Sequence, residues 1–444
     1  MKQKMVVSAV AVLIVSGVFA VLSKLDLGIT DASMDTLVAA DVAWVSVCAG
    51  LVMLMTPALG FFYGGLVRQK NLVSTIVQCL IIFAVACGVW TFWGYSLAFA
   101  PSIGGVIGNL KHAFMNGVGV APDPRYAENI PAMSFYFFQM KFAAITPALI
   151  IGAFAERIRF SSLIAFIIIW ATIVYAPVAH WVWGVGGWLG GLGALDFAGG
   201  TVVHVLAGAS ALAGAYVIGR RQGGERRPHL PCNIPFVILG AALLWFGWFG
   251  FNAGSALGMN GIAVNALVTT NLAAAFATIS WMIIDWYLNG KPSASGAAIG
   301  AVCGLVAITP AAGFVDPMSA IAIGLLAGAI CNFTIVLLAR TNLDDTLDVF
   351  ACHGVGGIWG AIATGIFASL TVNPGGANGL LRGDVKQFLI QIVAVVVTGV
   401  WAFVMSVIIF KILGAVMTLR VTPEEEEMGL DMSQHGEYAF RLDG

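Results

Sequence analysis

Charge is the property that this sequence has least of. Only 10% of its 444 residues are charged, whereas soluble domains carry about 25%. Hydrophobic residues make up 59% of the chain, more than a water-soluble protein could cover with polar surface. The same balance excludes intrinsic disorder, which requires low hydrophobicity and high net charge. The sequence therefore predicts a protein whose main partner is the lipid bilayer.

Several functional motifs are also missing. The chain has seven cysteines, but no CxxC or paired Cys/His spacing indicates a zinc site. It has no GxxxxGK(S/T) loop, so ATP coupling is not expected. The formal net charge of −1 argues against nucleic acid as a partner. We therefore expect neither a metal site nor ATP coupling, and no motif in the sequence indicates an enzymatic activity or a bound cofactor.

Apolar runs of about 20 residues, the length needed to cross a bilayer, recur along the whole chain. Continuous runs favour helices over the alternating strands of an outer-membrane barrel. Breaks at charges, prolines and glycine clusters predict eleven transmembrane helices, at approximately 41–66, 72–100, 131–155, 161–182, 198–219, 234–252, 262–288, 296–312, 317–338, 349–370 and 387–419. The predicted fold class is an all-α polytopic membrane protein.

The first 23 residues have the composition of a secretory signal peptide. Lys2 and Lys4 precede an apolar run from Met5 to Leu22, which is the order of regions in a signal sequence. The alternative is an uncleaved first helix. Residues 24–40 are then expected to form a short periplasmic or extracellular N-terminus.

The loops between the predicted spans alternate in positive charge. One set carries twelve Lys and Arg residues, four of them in the basic loop 220–233, and the other set carries four. Cytoplasmic loops carry the excess of positive charge, so we expect the first set in the cytoplasm. This orientation puts the mature N-terminus outside and the tail, 420–444, in the cytoplasm. A bacterial inner membrane is the favoured location.

Short motifs recur five spans apart. Asp196 and Asp345 each lie eight residues before a histidine, His204 or His353, at the starts of spans five and ten. Ala-Ile-Thr-Pro-Ala occurs in both span three and span eight. Because five is odd, two five-helix repeats must enter the membrane from opposite faces, and such repeats place substrate sites at their interface. The predicted first repeat, second repeat and eleventh helix are 41–219, 234–370 and 387–419.

The two histidines are functional candidates because ionisable residues are costly inside a membrane. His204 and His353 can meet only near the midplane, which requires spans five and ten to begin below the membrane surface. Two neutral imidazoles would offer a donor and an acceptor to a small solute without fixed charge. A simple helix–helix hydrogen bond is one alternative. Haem ligation is another, which the crowding of Phe and Trp in these spans disfavours.

Aromatic side chains concentrate in spans three and six. Phe138 and Phe142 are four residues apart and therefore share a helix face, and Ser255 follows an aromatic run that begins at Trp245. Aromatic faces attract cations, so a cage of two or three rings with a hydroxyl would suit a small cation at the outer mouth. An interfacial aromatic belt is the alternative.

Five longer motifs occur in order along the chain, at Ala58–Arg68, Gly152–Arg157, Asp196–His204, Trp248–Ser255 and Asp348–Gly354. Together they resemble the ammonium transporter (Amt/Mep/Rh) family over nearly the whole chain from about Asp41. The resemblance implies a homotrimer whose protomers each contain a pore. It also implies a cytoplasmic tail that takes part in regulation, with PII-type signalling proteins as partners.

The resemblance further implies roles for individual residues. The implied outer recruitment site for ammonium consists of Phe142, Trp183 and Ser255. The implied phenyl gate consists of Phe138 and Phe251, with Gln139 and Trp248 nearby. His204 and His353 would be twin pore histidines, and Asp196 a buried carboxylate that accepts backbone N–H hydrogen bonds. Lys141 is electrostatically awkward beside a cation site, and we expect it to snorkel outward or face another helix.

These roles suggest a mechanism. Ammonium would gather in the aromatic vestibule, lose a proton, and cross the apolar lumen as ammonia hydrogen-bonded to the histidines. Deprotonation avoids most of the cost of burying an ion, which is at least ~2.5–3.5 kcal/mol on insertion scales. Net proton transfer remains open at this point. The alternative functions are an ammonium receptor that signals through its tail and a channel for a neutral small solute.

Overall fold

The computed structural model describes residues 36–222 and 230–440. Within them, ten helices are long and apolar enough to cross a membrane, and an eleventh, α8, is shorter. The helices are α1 Ala39–Leu66, α2 Gln69–Phe99, α3 Ala132–Phe154, α4 Phe160–Leu192, α5 Gly200–Ile218, α6 Ile234–Ala256, α7 Gly261–Asn289, α8 Ala294–Ile308, α9 Pro317–Leu338, α10 Phe350–Phe367 and α11 Val385–Val416. The predicted all-α membrane fold is confirmed.

Small elements complete the described chain. Strands β1 (Ser102–Ile103) and β2 (Ile107–Gly108) form an antiparallel hairpin after α2. A short helix, α12 (Pro423–Met428), lies in the tail. The predicted signal peptide, 1–23, lies outside the described residues, as does part of the basic loop.

Polar side chains mark where several spans begin. Asn260 accepts hydrogen bonds from the first backbone N–H groups of α7, and Ser293 and Asp316 do the same for α8 and α9. These N–H groups have no partner within their own helix, so a side-chain oxygen before the helix stabilises its start. The helix α8 ends at Ile308 rather than at the predicted residue 312, because Pro310 has no N–H to continue it.

The starts of α5 and α10 are built alike, as the predicted inverted repeat requires. Both begin with wide π-helical turns, Gly200–Val205 and Phe350–Val355. The Asp196 carboxylate accepts hydrogen bonds from four consecutive N–H groups before and within the first of these turns. Asp345 accepts from Val349, just before the second turn, and from Phe350, its first residue. Each aspartate thus anchors the start of a helix that carries one of the two predicted pore histidines.

Glycines allow α5 and α10 to approach closely where they cross. A Cβ atom at Gly208 would overlap the backbone of Gly354, and one at Gly357 would lie 3.0 Å from the backbone nitrogen of Val205. Small residues at helix crossings permit such backbone approach in membrane proteins. The crossing lies at the level of the histidines, so it sets how near they come to each other.

Candidate functional site: a pore between the two repeats

The structure brings the two predicted pore histidines into direct contact. Nδ1 of His204 lies 3.2 Å from Nδ1 of His353, and their ring centroids are 5.3 Å apart with an interplanar angle of 20°. A hydrogen bond between two Nδ1 atoms needs a proton on only one of them. The Nε2 atom of His204 is buried and has no partner among the described residues. It is therefore available to a solute.

A narrow cavity surrounds this pair. Apart from the two imidazoles and the Trp248 indole, the described side chains that line it are apolar: Met55, Leu59, Ile145, Leu149, Val203, Leu244, Phe251 and Val302. These residues come from both repeats. An ion would find no compensating charge here, and burying an unpaired ion costs far more than burying a neutral polar molecule. The lining therefore favours a small neutral solute that can hydrogen-bond.

The indole of Trp248 packs against one face of the His204 imidazole. Its ring stacks on the imidazole at 5.4 Å with an interplanar angle of 19°. The indole Nε1 donates to Thr309 Oγ1 at 2.8 Å, and that hydroxyl donates to the carbonyl of Leu305. Thr309 was missed as a site residue by the sequence analysis, although it lies in the repeated Ala-Ile-Thr-Pro-Ala motif. The chain of hydrogen bonds fixes the rotamer of Trp248 against the pore.

The described phenyl pair differs from the predicted one. Phe251 stacks against Phe142, with ring centroids 4.3 Å apart and an interplanar angle of 31°. Phe138 instead meets the edge of Phe142 at 5.0 Å and lies beside Gly254. Both side chains therefore reach α6, and spacing along α3 does not say which of them meets the ring of Phe251. In the structure Phe142 meets that ring, whereas Phe138 packs beside Gly254.

Beyond this stack lies an open vestibule that contains the predicted recruitment residues. Phe142, Trp183 and Ser255 all line it, together with Gln139. The indole of Trp183 meets Phe142 edge-on at 5.9 Å and 85°. Its Nε1 donates to the carbonyl of Asp196 at 2.9 Å, which fixes the ring. Two aromatic rings therefore border one space, where a cation can contact them.

Ser255 adds an acceptor to this wall. Its hydroxyl donates to the carbonyl of Phe251 at 2.9 Å, so the oxygen lone pairs remain free to accept from a solute. The side-chain oxygen of Gln139 is buried without a described partner. The vestibule thus combines aromatic faces with neutral oxygen acceptors, the groups that suit a cation with N–H donors.

Asp196 lies behind this vestibule rather than in it. Its carboxylate accepts from Gly199, Gly200, Thr201 and Val202 at 2.6–3.1 Å and also from the hydroxyl of Thr201. This is the backbone hydrogen bonding that the sequence analysis expected. Its carboxylate charge is stabilised by the N–H groups at the start of α5, and its backbone carbonyl positions the Trp183 indole.

Lys141 faces away from the vestibule. Its ammonium lies 3.7 Å from the ring centroid of Phe137 and 5.3 Å from that of Phe83. These rings belong to α3 and α2, so the lysine faces another helix, one of the two expected orientations. The charge is held against aromatic faces, and Lys141 is not among the described residues that line the vestibule.

A charged residue at the vestibule rim was not singled out by the sequence analysis. Arg125 lines the vestibule and contacts Asp123 through Nε at 2.9 Å and Nη2 at 2.6 Å. Burial alone would raise the pKa of Asp123, but the hydrogen bonds from Arg125 outweigh burial and lower that pKa below its usual range. The positive charge at the rim is therefore neutralised by its neighbour. The two residues are neighbours in one loop, but their position at the rim of the vestibule depends on how that loop folds over α3 and α4.

At the opposite end of the pore, a cluster of buried ion pairs joins four loops. Glu156 accepts from the Arg68 backbone at 2.7 Å and lies 3.6 Å from Nη1 of Arg221. Arg221 makes two hydrogen bonds of 2.9 Å with Asp344. Burial would raise the pKa of Asp344, but these contacts and the nearby Arg157 lower it. Arg68, Arg157 and Arg221, which the charge count assigned to one membrane face, thus lie in one cluster.

The tail packs against this cluster. The buried Glu426 carboxylate accepts from the Gln222 N–H at 2.7 Å and from Arg420 Nη2 at 2.7 Å. Farther along, Asp431 accepts from the N–H groups of Val73 and Ser74, at 3.1 and 2.7 Å, near the start of α2. The described tail, up to residue 440, is therefore an ordered part of this face.

Comparison with known proteins agrees with the arrangement of helices. The model of the Ammonium Transporter Family matches residues 43–440. An ammonium transporter of Bacillus subtilis (strain 168) is 49% identical over 402 residues, covering 90% of this chain and 98% of the relative. The crystal structure of Saccharomyces cerevisiae Mep2 superposes with a TM-score of 0.85 at 35% identity, covering 92% and 93% of the two chains. A protein described as Sensor Amt Protein superposes with a TM-score of 0.81 at 33% identity, covering 89% and 98%.

Proposed function

The chain belongs to the ammonium transporter family, and from this premise we propose that it conducts ammonia between its two repeats after taking a proton from ammonium. It is a multi-pass membrane transporter rather than an enzyme. The observation that carries the proposed mechanism is the contact between His204 and His353 in an apolar cavity. The remaining steps follow from the chemistry of the groups on either side.

Ammonium enters the outer vestibule and contacts the aromatic faces of Phe142 and Trp183. The free lone pairs of Ser255 accept one of its N–H groups, as its bond to Phe251 leaves them available. Cation–π contacts of this kind contribute roughly 0.5–2 kcal/mol each. The site is therefore weak enough to release its occupant into the pore.

The stacked rings of Phe142 and Phe251 form the gate in this proposal, in place of the pair Phe138 and Phe251. Passing the rings takes the solute out of contact with water. An ammonium ion would keep its charge in an apolar lumen, which costs at least ~2.5–3.5 kcal/mol, whereas ammonia would not. Loss of the proton at or before the gate is thus favoured by the lining beyond it.

The twin histidines then replace water as hydrogen-bonding partners. Since one Nδ1–H donates to the other Nδ1, one Nε2 atom is protonated and the other is not. Ammonia can therefore accept a hydrogen bond from one imidazole and donate to the other. The same shared proton offers a route for proton transfer, which would make transport electrogenic.

We further propose that the face carrying the tail is cytoplasmic, that the membrane is a bacterial inner membrane and that three protomers assemble. The positive charge of that face supports the orientation. Family membership supports the trimer, and the ordered tail provides a surface for a PII-type regulator. Native mass spectrometry would test the trimer, and a count of fewer or more than three protomers would contradict it.

The test of transport is an ammonium-induced current in liposomes that contain the purified protein. We expect a saturable current in the wild type and a loss of about tenfold or more in His204→Ala, since removing one partner of a buried hydrogen bond costs about 1–3 kcal/mol. Uptake of ammonium should be measured in the same vesicles, since ammonia conduction without the proton carries no current. If the wild-type protein shows no current and no uptake, the proposal is wrong.

A receptor is the second candidate, favoured by the structural likeness to a protein described as Sensor Amt Protein. A receptor would bind ammonium in the vestibule without moving it. Calorimetric binding to the purified protein, combined with the absence of both current and uptake, would establish this alternative.

A further inference from the structure

A buried histidine contacts the guanidinium at the vestibule rim. His112 is 8% exposed, and its Nε2 lies 3.2 Å from Nη2 of Arg125. Its Nδ1 lies 2.9 Å from the carbonyl oxygen of Asn116. A guanidinium can only donate and a carbonyl can only accept, so Nε2 must be the acceptor and Nδ1 must carry the proton. The two contacts therefore require a neutral imidazole.

Protonation of this histidine would break the arrangement. An imidazolium has no lone pair on Nε2 to accept from Arg125, and it places a second positive charge 3.2 Å from the guanidinium. The charged and titratable groups that face the imidazole are Arg125 and Asp123 of the same loop and Tyr95 of α2. Lys111 precedes the histidine in the chain. The single carboxylate among them, Asp123, is already bound by Arg125 through two hydrogen bonds.

The position of Arg125 connects this change to the substrate. Among the described residues that line the vestibule, Arg125 has the only charged side chain. With neutral His112, the rim contains one positive and one negative charge. With protonated His112 it gains a net positive charge, which repels an ammonium ion in the same vestibule, and the guanidinium loses its imidazole acceptor.

We propose that His112 is a proton-sensitive positioning residue of the vestibule, which holds Arg125 against Asp123 when neutral and weakens ammonium recruitment when protonated. This inference rests on the proposed function, because it concerns the same recruitment site. It adds a dependence on external pH that acts at the mouth, separate from any role of protons in the pore.

The test is the half-saturating ammonium concentration of the current, measured at about pH 7.5 and about pH 5.5. We expect this concentration to rise about threefold at the acidic pH in the wild type, as one added charge near the site would cause. His112→Gln, which does not titrate, should show almost no rise. His435→Gln changes a histidine in the tail and serves as the matched control, with the wild-type rise retained.

A second variant guards against failure of His112→Gln to fold. Asp123→Asn removes the negative charge of the rim and should raise the half-saturating concentration already at about pH 7.5, by a similar factor. An acid-induced rise that persists in His112→Gln would overturn the inference, as would an unchanged value in Asp123→Asn. Absence of current and uptake in every form would instead reject the proposed transport function itself.

Discussion

The Nδ1 atoms of His204 and His353 lie 3.2 Å apart although 149 residues separate them in the chain. Each histidine lies in a π-helical turn at the start of its helix, where wide turns often mark functional sites. The two helices cross at glycines, so no side chain separates them. The contact therefore depends on backbone geometry at least as much as on the histidines.

The helix crossing provides the first prediction. Gly208→Ala places a methyl group against the backbone of Gly354, and overpacking of this kind costs about 1–3 kcal/mol. We expect a lower thermal unfolding midpoint and a loss of transport. Gly88→Ala is the matched control, because nothing lies within 4 Å of a Cβ at that position. If Gly208→Ala unfolds at the wild-type temperature and transports normally, the crossing does not position the histidines.

The phenyl stack predicts non-additive effects. Phe142 and Phe251 are in contact at 4.3 Å, so the effects of Phe142→Ala and Phe251→Ala on transport should be coupled, by about 0.5–1.5 kcal/mol for an aromatic pair. The combination of Phe138→Ala with Phe251→Ala should be closer to additive. A double-mutant cycle on ammonium current measures both couplings. If the coupling between Phe138 and Phe251 is stronger than that between Phe142 and Phe251, the gate is the pair predicted from the resemblance.

The hydrogen bond from Trp248 to the Thr309 hydroxyl predicts that Thr309 positions the indole ring. Thr309→Val keeps the size of the side chain but leaves the buried indole N–H without its acceptor, which costs about 1–3 kcal/mol. We expect transport to fall about tenfold and the indole fluorescence spectrum to change. Thr309→Ser retains the acceptor and should transport like the wild type. Equal activity of the Val and Ser variants would contradict this role.

The docked tail predicts a change in protease sensitivity. Asp431→Ala removes the acceptor for the N–H groups of Val73 and Ser74, a contact comparable to a helix N-cap at about 0.5–2 kcal/mol. We expect residues beyond 421 to be cleaved about tenfold faster in limited proteolysis. Glu424→Gln, at an exposed position, is the control. Unchanged cleavage of Asp431→Ala would mean that this contact does not hold the tail.

Much of the pathway could be predicted from the sequence, though not how its parts meet. The motifs repeated five spans apart, among them the Asp196 and Asp345 spacing, predicted the inverted repeat. They also predicted that the histidines meet, since equivalent residues of two inverted halves can come together near the midplane. Residues of the vestibule were found through motif resemblance. The ring that pairs with Phe251 and the orientation of Lys141 could be determined only from the folded structure. Helical spacing tells which residues share a helix face, but not how that helix is rotated against its neighbours.

The amino-acid order determined the features that depend on local runs and short motifs: eleven apolar helices, the repeat, and the resemblance to the ammonium transporter family. Each apolar run enters the bilayer by its own hydrophobicity, and each motif lies within a short segment. These features therefore need no knowledge of distant contacts. The stack of Phe251 on Phe142, the hydrogen bond from Trp248 to Thr309 and the contact of His112 with Arg125 came from the folded chain. They join residues of different helices, or of different parts of one loop, through side-chain packing, which is decided only when the helices and loops come together.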